Sequence, residues 1–363
     1  MDKDLSVYIG KQICLKNPIM PASGPIVGDD RKIRYLSEQG LGAIVTKTIS
    51  VHAAEVPRPC IIGGTDWIIN TELWSEHPPE RWENDFFPKI QDLHQPLFIS
   101  LGYSREEILS LIPRFEAFAD AFELSTHYSG KDLGPIGQIV EEAAMATSKP
   151  VFIKISPHIP DPVTFAQMVH QRGGYGIVAT NSLGPVFPVN AKTGQSPLGS
   201  SDGFGWMSGP AIKPISLSVI RRIRDHSDIP IIGVGGISNA TDVLEFMIAG
   251  ANAVQILSAA MLKGKQVYSQ ILHDLSKAMA EAGVDQISKL VGSSHREQKE
   301  SFAKKTPLFD RELCTLCMRC VHNCPYFALQ LQEKRIHVVP NECFGCGLCE
   351  SRCPVQAISG ILS

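Results

Sequence analysis

Eight of the ten cysteines in this 363-residue chain fall between Cys314 and Cys353. Residues 314–325 read CTLCMRCVHNCP and residues 343–354 read CFGCGLCESRCP, so each half is C-x2-C-x2-C-x3-C-P. Three thiolates at that spacing wrap three corners of an iron–sulfur cubane, and the fourth reaches the other cubane. One [4Fe–4S] cluster is expected on Cys314, Cys317, Cys320 and Cys353, and a second on Cys343, Cys346, Cys349 and Cys324. Structural zinc is the competing chemistry. It takes four ligands in paired arms and leaves the surplus cysteines and both Cys-Pro pairs unexplained. The segment therefore reads as a carrier of single electrons. Cys14 and Cys60 stand apart and read as small packing residues.

Two lysines close apolar runs, Lys47 in Thr46-Lys47-Thr48 and Lys154 in Phe152-Ile153-Lys154-Ile155. A lysine in such a place is costly unless it meets a charge. A reduced flavin, negative near N1, meets that need; an ion pair with a strand carboxylate such as Glu123 is the plainer partner. Gly233-Val234-Gly235-Gly236-Ile237-Ser238 and Gln255-Ile256-Leu257-Ser258-Ala259 end two further runs. Glycine lets backbone N–H groups approach an anion, so this pair suggests a phosphate site, with turn glycines alone as the alternative.

These residues need a scaffold. Strands are expected near Ile19–Pro21, Ala43–Thr48, Leu97–Leu101, Ala121–Ser125, Val151–Ser156, Gly176–Asn181, Ile231–Gly235 and Ala253–Ser258. Helical patterns lie between them at Asp30–Gln39, Arg105–Phe118, Gly137–Thr147, Pro162–Arg172, Pro214–Asp225 and Thr241–Ala249. Continuous apolar strands alternating with amphipathic helices imply an α/β fold with parallel strands. Eight units fit a (β/α)8 TIM barrel; a doubly wound open sheet is the alternative. The expected organisation is a barrel over residues 1–292, a polar linker over 293–312, and a small α+β bacterial-ferredoxin-like domain over 313–363.

Lys and Arg number 34 against 37 Asp and Glu, a net charge of −3, so nothing points to nucleic acid or an anionic membrane. The first residues lack a signal-peptide pattern and no apolar run approaches a membrane span, which leaves the cytoplasm as the default location. From Asp310 onward five acidic side chains balance five basic ones, which fits clusters serving their own chain better than a steered carrier.

Asn17-Pro18-Ile19-Met20-Pro21-Ala22-Ser23-Gly24, Thr46-Lys47-Thr48, Lys154, Ala179-Thr180-Asn181-Ser182, Ser208-Gly209-Pro210-Ala211-Ile212-Lys213-Pro214 and Gly235-Gly236-Ile237 occur in that order. Together they resemble the FMN barrel of the dihydroorotate dehydrogenase and dihydropyrimidine dehydrogenase superfamily over about residues 5–292. Asn70-Thr71-Glu72-Leu73 with Ser75-Glu76, and the appended iron–sulfur module, resemble the pyrimidine-reducing branch most. The resemblance implies that Ala22, Ser23 and Gly24 line FMN with Lys47 and Thr48 beside it, and that Lys154 faces its N1/O2 edge. It implies that Ser208, Gly209, Gly235 and Gly236 hold the phosphate, and that Ser258 and Ala259 close over it. Asn70, Asn181 and Ser182 would hydrogen-bond a planar substrate, since each amide offers donor and acceptor. A homodimer or larger assembly is also implied.

One segment departs from the family. Its strand four usually continues Glu-Leu-Asn-x-Ser-Cys-Pro, whereas this chain has Glu123-Leu124-Ser125-Thr126-His127-Tyr128-Ser129-Gly130. Ser125 replaces the substrate-binding asparagine and Tyr128 the acidic cysteine. Tyr128 is a competent acid at neutral pH and a poor base, which suits reduction. His127 is its rival, and a third possibility is that neither serves. Residues 129–137 are glycine-rich and read as a lid. The long stretch 183–207 reads as a functional loop whose neighbours Phe187, Phe204 and Trp206 cover the substrate.

The expected function is an FMN and [4Fe–4S] oxidoreductase reducing an activated C=C bond, or oxidising the CH–CH form, with a pyrimidine as candidate substrate. The alternatives are a dihydroorotate dehydrogenase and an electron-transfer subunit with an idle barrel. No nicotinamide domain is visible, so electrons would be exchanged with a ferredoxin or an NAD(P)H-oxidising flavoprotein subunit.

Overall fold

The computed structural model describes residues 3–126, 130–294 and 302–362. Packing divides the chain into two compact units, Met1–Arg296 and Glu297–Ser363.

The first unit is a nearly closed parallel barrel. Its strands, in chain order, are Ile19–Pro21, Ile44–Val45, Leu97–Leu101, Ala121–Leu124, Val151–Ile155, Gly176–Ala179, Ile231–Val234 and Ala253–Ile256. Neighbours in sequence are neighbours in the sheet, from the second strand round through the eighth to the first. Between first and second, the Gly42 N–H donates to the Ile19 carbonyl at 2.9 Å. Leu97–Leu101 and Val151–Ile155 are buried at every position, because helices cover the outside and side chains fill the inside. All eight strands lie where the apolar runs predicted them. The last one or two residues of several runs peel away to shape the loops at the barrel mouth.

The helices start where short polar side chains can take up free N–H groups. Asp29 caps Asp30–Ser37, Asp161 caps Pro162–Gln171 and Asn239 caps Ala240–Ala249. Ser104 and Glu107 form a reciprocal capping box on Arg105–Phe115. The long helix Val267–Glu281 follows the eighth strand, and Tyr268, fully buried, donates to the Ile256 carbonyl at 2.6 Å. Among the described residues no helix is long and apolar enough to cross a membrane.

One element differs from expectation. Leu183–Val186 and Gly205–Ser208, within the stretch read as a loop, are strands of a four-stranded antiparallel sheet completed by Ile68–Asn70 and Ile61–Gly63. Pro185 and the glycines in both ribbons hide the alternation that would mark them.

The second unit has a hairpin, Leu329–Gln332 with Arg335–Val338, and two short helices, Arg319–Asn323 and Leu348–Ser351. Leu308–Phe309 pairs antiparallel with Ile358–Ser359, so the unit's first strand starts inside the stretch read as linker. The two cysteine motifs fold alike. Left-handed backbone occurs at Leu316 and Met318 in the first and at the matching Gly345 and Gly347 in the second. It recurs three residues after the closing cysteine of each, at Phe327 and Gln356. Non-glycine side chains adopt that conformation only under constraint. Its repetition at matched positions shows that the wrapping of the motif imposes it.

Candidate functional site

The barrel strands and the four-stranded sheet enclose a cleft of about 1060 Å³ at the C-terminal ends of the strands. Ala22, Ser23 and Gly24 reach it from strand one, Lys47 and Thr48 from strand two, Ser125 from strand four and Lys154 from strand five. Asn181 and Ser182 follow strand six, Gly235 and Gly236 follow strand seven, and Ser258 follows strand eight. Asn70 and Ser208 reach the same space from the antiparallel sheet. Gly209 and Ala259 stand outside the lining, Gly209 against the Asp66–Trp67 backbone and Ala259 buried in the first turn of Ser258–Lys263. His127 and Tyr128 lie outside the described residues.

Both lysines meet carboxylates. Lys154 Nζ lies 3.2 Å from Glu123 Oε1, with 6% and 0% of the two side chains exposed. Lys47 Nζ sits 2.8 Å from both Glu72 Oε2 and Glu76 Oε1. Burial alone would raise the Glu76 carboxyl, but the Lys47 ammonium and backbone donation outweigh it and hold it below the usual range. Glu72 Oε1 accepts the Cys60 thiol at 3.2 Å; burial, then this carboxylate, pushes that thiol up.

Hydroxyl groups link the walls. Ser23 Oγ and Thr48 Oγ1 are 3.0 Å apart, Thr48 Oγ1 and Ser100 Oγ 2.9 Å, and Ser258 donates to Ser208 at 2.8 Å. The Asn70 amide donates to the Trp206 carbonyl and accepts from the Glu72 N–H, while Asn181 Oδ1 accepts the Ser182 N–H at 2.9 Å. The second Asn70 hydrogen and the Asn181 amide group remain to serve a ligand edge.

Two features fit a flavin mononucleotide. Gln255, 1% exposed, donates from Nε2 to Glu123 Oε2 at 2.6 Å, and its Oε1 is buried without a partner among the described residues. Such an acceptor matches the ring N–H of an isoalloxazine edge. Gly235 and Gly236 hold φ of 116° and 91°, and a Cβ would lie 2.2 Å from Ser216 Oγ at the first and 2.7 Å from Lys213 Cβ at the second. Only glycine takes this left-handed turn so close to Ser216 and Lys213, and the turn lies in the cleft wall where backbone N–H groups suit a phosphate. The loop is braced by Asp242, which accepts from Ser238 N and Oγ and from Lys213 Nζ.

Sequence reasoning missed Gln255, Trp74 and Tyr103 in the lining. A glutamine inside Ala253–Ile256 was a readable signal, since a lone amide in an apolar strand needs a partner. Trp74 and Tyr103 pack edge to face with centroids 5.0 Å apart, and only the folded chain joins them. Burial, with Glu107 adding to it, pushes the Tyr103 phenol up to about 12. Phe187 and Phe204 pair with each other at 5.0 Å and, with Trp206, are partly exposed and lie outside the lining.

In the second unit, one cavity is lined by Cys314, Cys317, Cys320 and Cys353, and another by Cys324, Cys343, Cys346 and Cys349. These are the two sets expected from the spacing. Among the described residues no three metal-binding side chains close on one point as a single ion requires. Four thiols standing around a cavity suit a polynuclear cluster.

The sequence profile of dihydroorotate dehydrogenase matches residues 9–279, and that of the 4Fe-4S dicluster domain matches residues 297–357. The chain is 32% identical over 293 residues to the catalytic subunit of dihydroorotate dehydrogenase B (NAD(+)) of Methanothermobacter thermautotrophicus, spanning 77% of this chain and 95% of that one. It is 31% identical over 297 residues to the corresponding subunit of Pyrococcus furiosus, spanning 78% and 97%. It is 31% identical over 294 residues to dihydroorotate dehydrogenase A (fumarate) of Lactobacillus helveticus, spanning 77% and 94%.

Proposed function

Because the chain belongs to the dihydroorotate dehydrogenase family, flavin oxidoreductases acting on CH–CH groups, we propose that it reduces an activated C=C bond in a pyrimidine or related conjugated ring. Two [4Fe–4S] clusters in the second unit, Glu297–Ser363, are part of the proposal. The observation that carries it is a single cleft bringing together the Lys154–Glu123 pair, the Gly235–Gly236 cradle and the amides of Asn70 and Asn181.

When bound, FMN supplies hydride transfer and the clusters supply single electrons. Lys154, kept in position by Glu123, would place positive charge beside the flavin ring. Gly235 and Gly236, with the Ser208 and Ser258 hydroxyls, would hold the phosphate, and Gln255 Oε1 would accept a ring N–H. Asn70, Asn181, Ser182 and Ser125 orient the planar substrate. Tyr128 gives the proton to the neighbouring carbon, with His127 as its rival. The reverse oxidation uses the same groups. Two of the relatives are named as catalytic subunits of an NAD(+)-linked enzyme, which supports electron exchange with an NAD(P)H-oxidising flavoprotein subunit or a ferredoxin.

The relatives' names favour a second reading, dihydroorotate as substrate. One experiment separates the two. The reduced enzyme is held anaerobically while uracil, thymine, orotate, conjugated enones and enoyl thioesters are added singly, and the oxidised flavin band is followed. Rapid reoxidation by uracil or thymine is expected. Reoxidation by orotate alone would establish the second reading, and a response only to non-pyrimidines would move the substrate to another class.

A further inference from the structure

The charged side chains lining the cleft, among the described residues, are Lys47, Glu72 and Lys154. Both cations are already matched. Lys47, 2% exposed, lies between Glu72 and Glu76 at 2.8 Å from each. Lys154 is bound to Glu123, whose second oxygen takes Gln255. Three carboxylates thus face two ammonium groups. Glu72 is the carboxylate that reaches the cleft wall, two residues from Asn70, and Cys60 and Lys47 fix both its oxygens.

A ring bearing its own carboxylate would meet this anion with neither lysine free to compensate. Like charges brought together out of water are strongly unfavourable, and such repulsion is how a site rejects a near relative of its substrate. We propose that Glu72 sets the charge of the substrate, so that the cleft accepts an uncharged conjugated ring and refuses its carboxylated counterpart. The inference rests on the reading of this cleft as the acceptor site. It separates the chain from dihydroorotate, the carboxylated compound in its relatives' names.

The test uses oxidised holoenzyme and two matched pairs, uracil against orotate and cyclohex-2-enone against cyclohexene-1-carboxylate, with binding read from perturbation of the flavin absorbance. In at least one pair the neutral member binds about tenfold or more tightly than the carboxylated one. Glu72→Gln closes most of that gap by strengthening the carboxylated member, and Glu72→Asp, which keeps the charge, preserves it. If only the enone pair discriminates, the pyrimidine reading falls and the charge rule stands. Equal or reversed binding in both wild-type pairs, including no response to any of the four compounds, overturns the rule. So does an unchanged gap in flavin-replete Glu72→Gln. Should that variant lose its flavin, the wild-type pairs and Glu72→Asp still decide, since lost discrimination in Glu72→Asp would equally sink the idea.

Discussion

The barrel and the iron–sulfur module reach order by different routes. The barrel interior is a continuous apolar cluster running from Val7 to Leu290, with whole strands at zero or near-zero exposure. The module's buried apolar side chains, among those described, are Pro307, Ala328, Leu329, Cys343, Ala357 and Ile358. Phe327 and Phe344, at 81% and 66% exposure, contribute little to any interior. So few buried side chains cannot offset the chain entropy of the unit. The barrel places its site on a scaffold that packing has already fixed, whereas the module is organised by what its thiols bind.

The largest expected effect breaks the comparison outright. Anaerobic chelation of iron, or Cys346→Ala, should remove hydrogen-exchange protection across 308–362 and leave the barrel strands protected. Unchanged protection in the module would show that its small core suffices. Next comes a cavity on the barrel side. Phe152 is fully buried between Phe98 and Tyr175, at centroid distances of 5.5 and 5.4 Å. Phe152→Ala should cost about 3–5 kcal/mol in urea unfolding of the barrel. The visible absorbance of the clusters should persist at urea concentrations that spare the wild type.

Smaller effects sharpen the same contrast. Tyr268→Phe removes one of two donors to the Ile256 carbonyl, the other being Ala22 N–H, and should cost about 1 kcal/mol in the same assay. The smallest effect is a pH dependence at His77, which packs edge to face on Phe86 with centroids 5.0 Å apart. Burial first, then Arg81, holds its imidazole below the ordinary value of 6.5. The folded state therefore binds fewer protons than the unfolded chain in that range. Stability should fall as pH drops through 6.5 and level off below the depressed pKa. His77→Gln should flatten the barrel's stability profile between pH 7 and 5.

What was legible in the sequence follows the same division. The eight strands could be read because a sheet covered on both faces demands unbroken apolar runs such as Leu97–Leu101. The cysteine sets could be read because a cubane fixes its ligand spacing, and the two thiol-lined cavities keep those sets together. Lys47 and Lys154 were flagged by cost, and burial bears this out, but their partners were only half foreseen. Glu123 lies one strand away from Lys154, in register with Phe152. Glu72 and Glu76 reach Lys47 from a separate loop, a tertiary contact that no local pattern encodes. The antiparallel sheet stayed hidden for the same reason, since Trp206↔Asn70 pairing joins segments 136 residues apart.

The pairing of Leu308–Phe309 with Ile358–Ser359 places the two ends of the iron–sulfur unit side by side, Leu308 opposite Ser359 and Phe309 opposite Ile358. A unit whose entrance and exit share one edge behaves as a cassette. Because its two ends leave from one edge, it can be placed on a host without parting the host's own elements, and the chain inside the loop it closes need not be altered to suit the new neighbour. Gain, loss or exchange of such a unit between genes is therefore a short step, and family members with and without it can share one barrel.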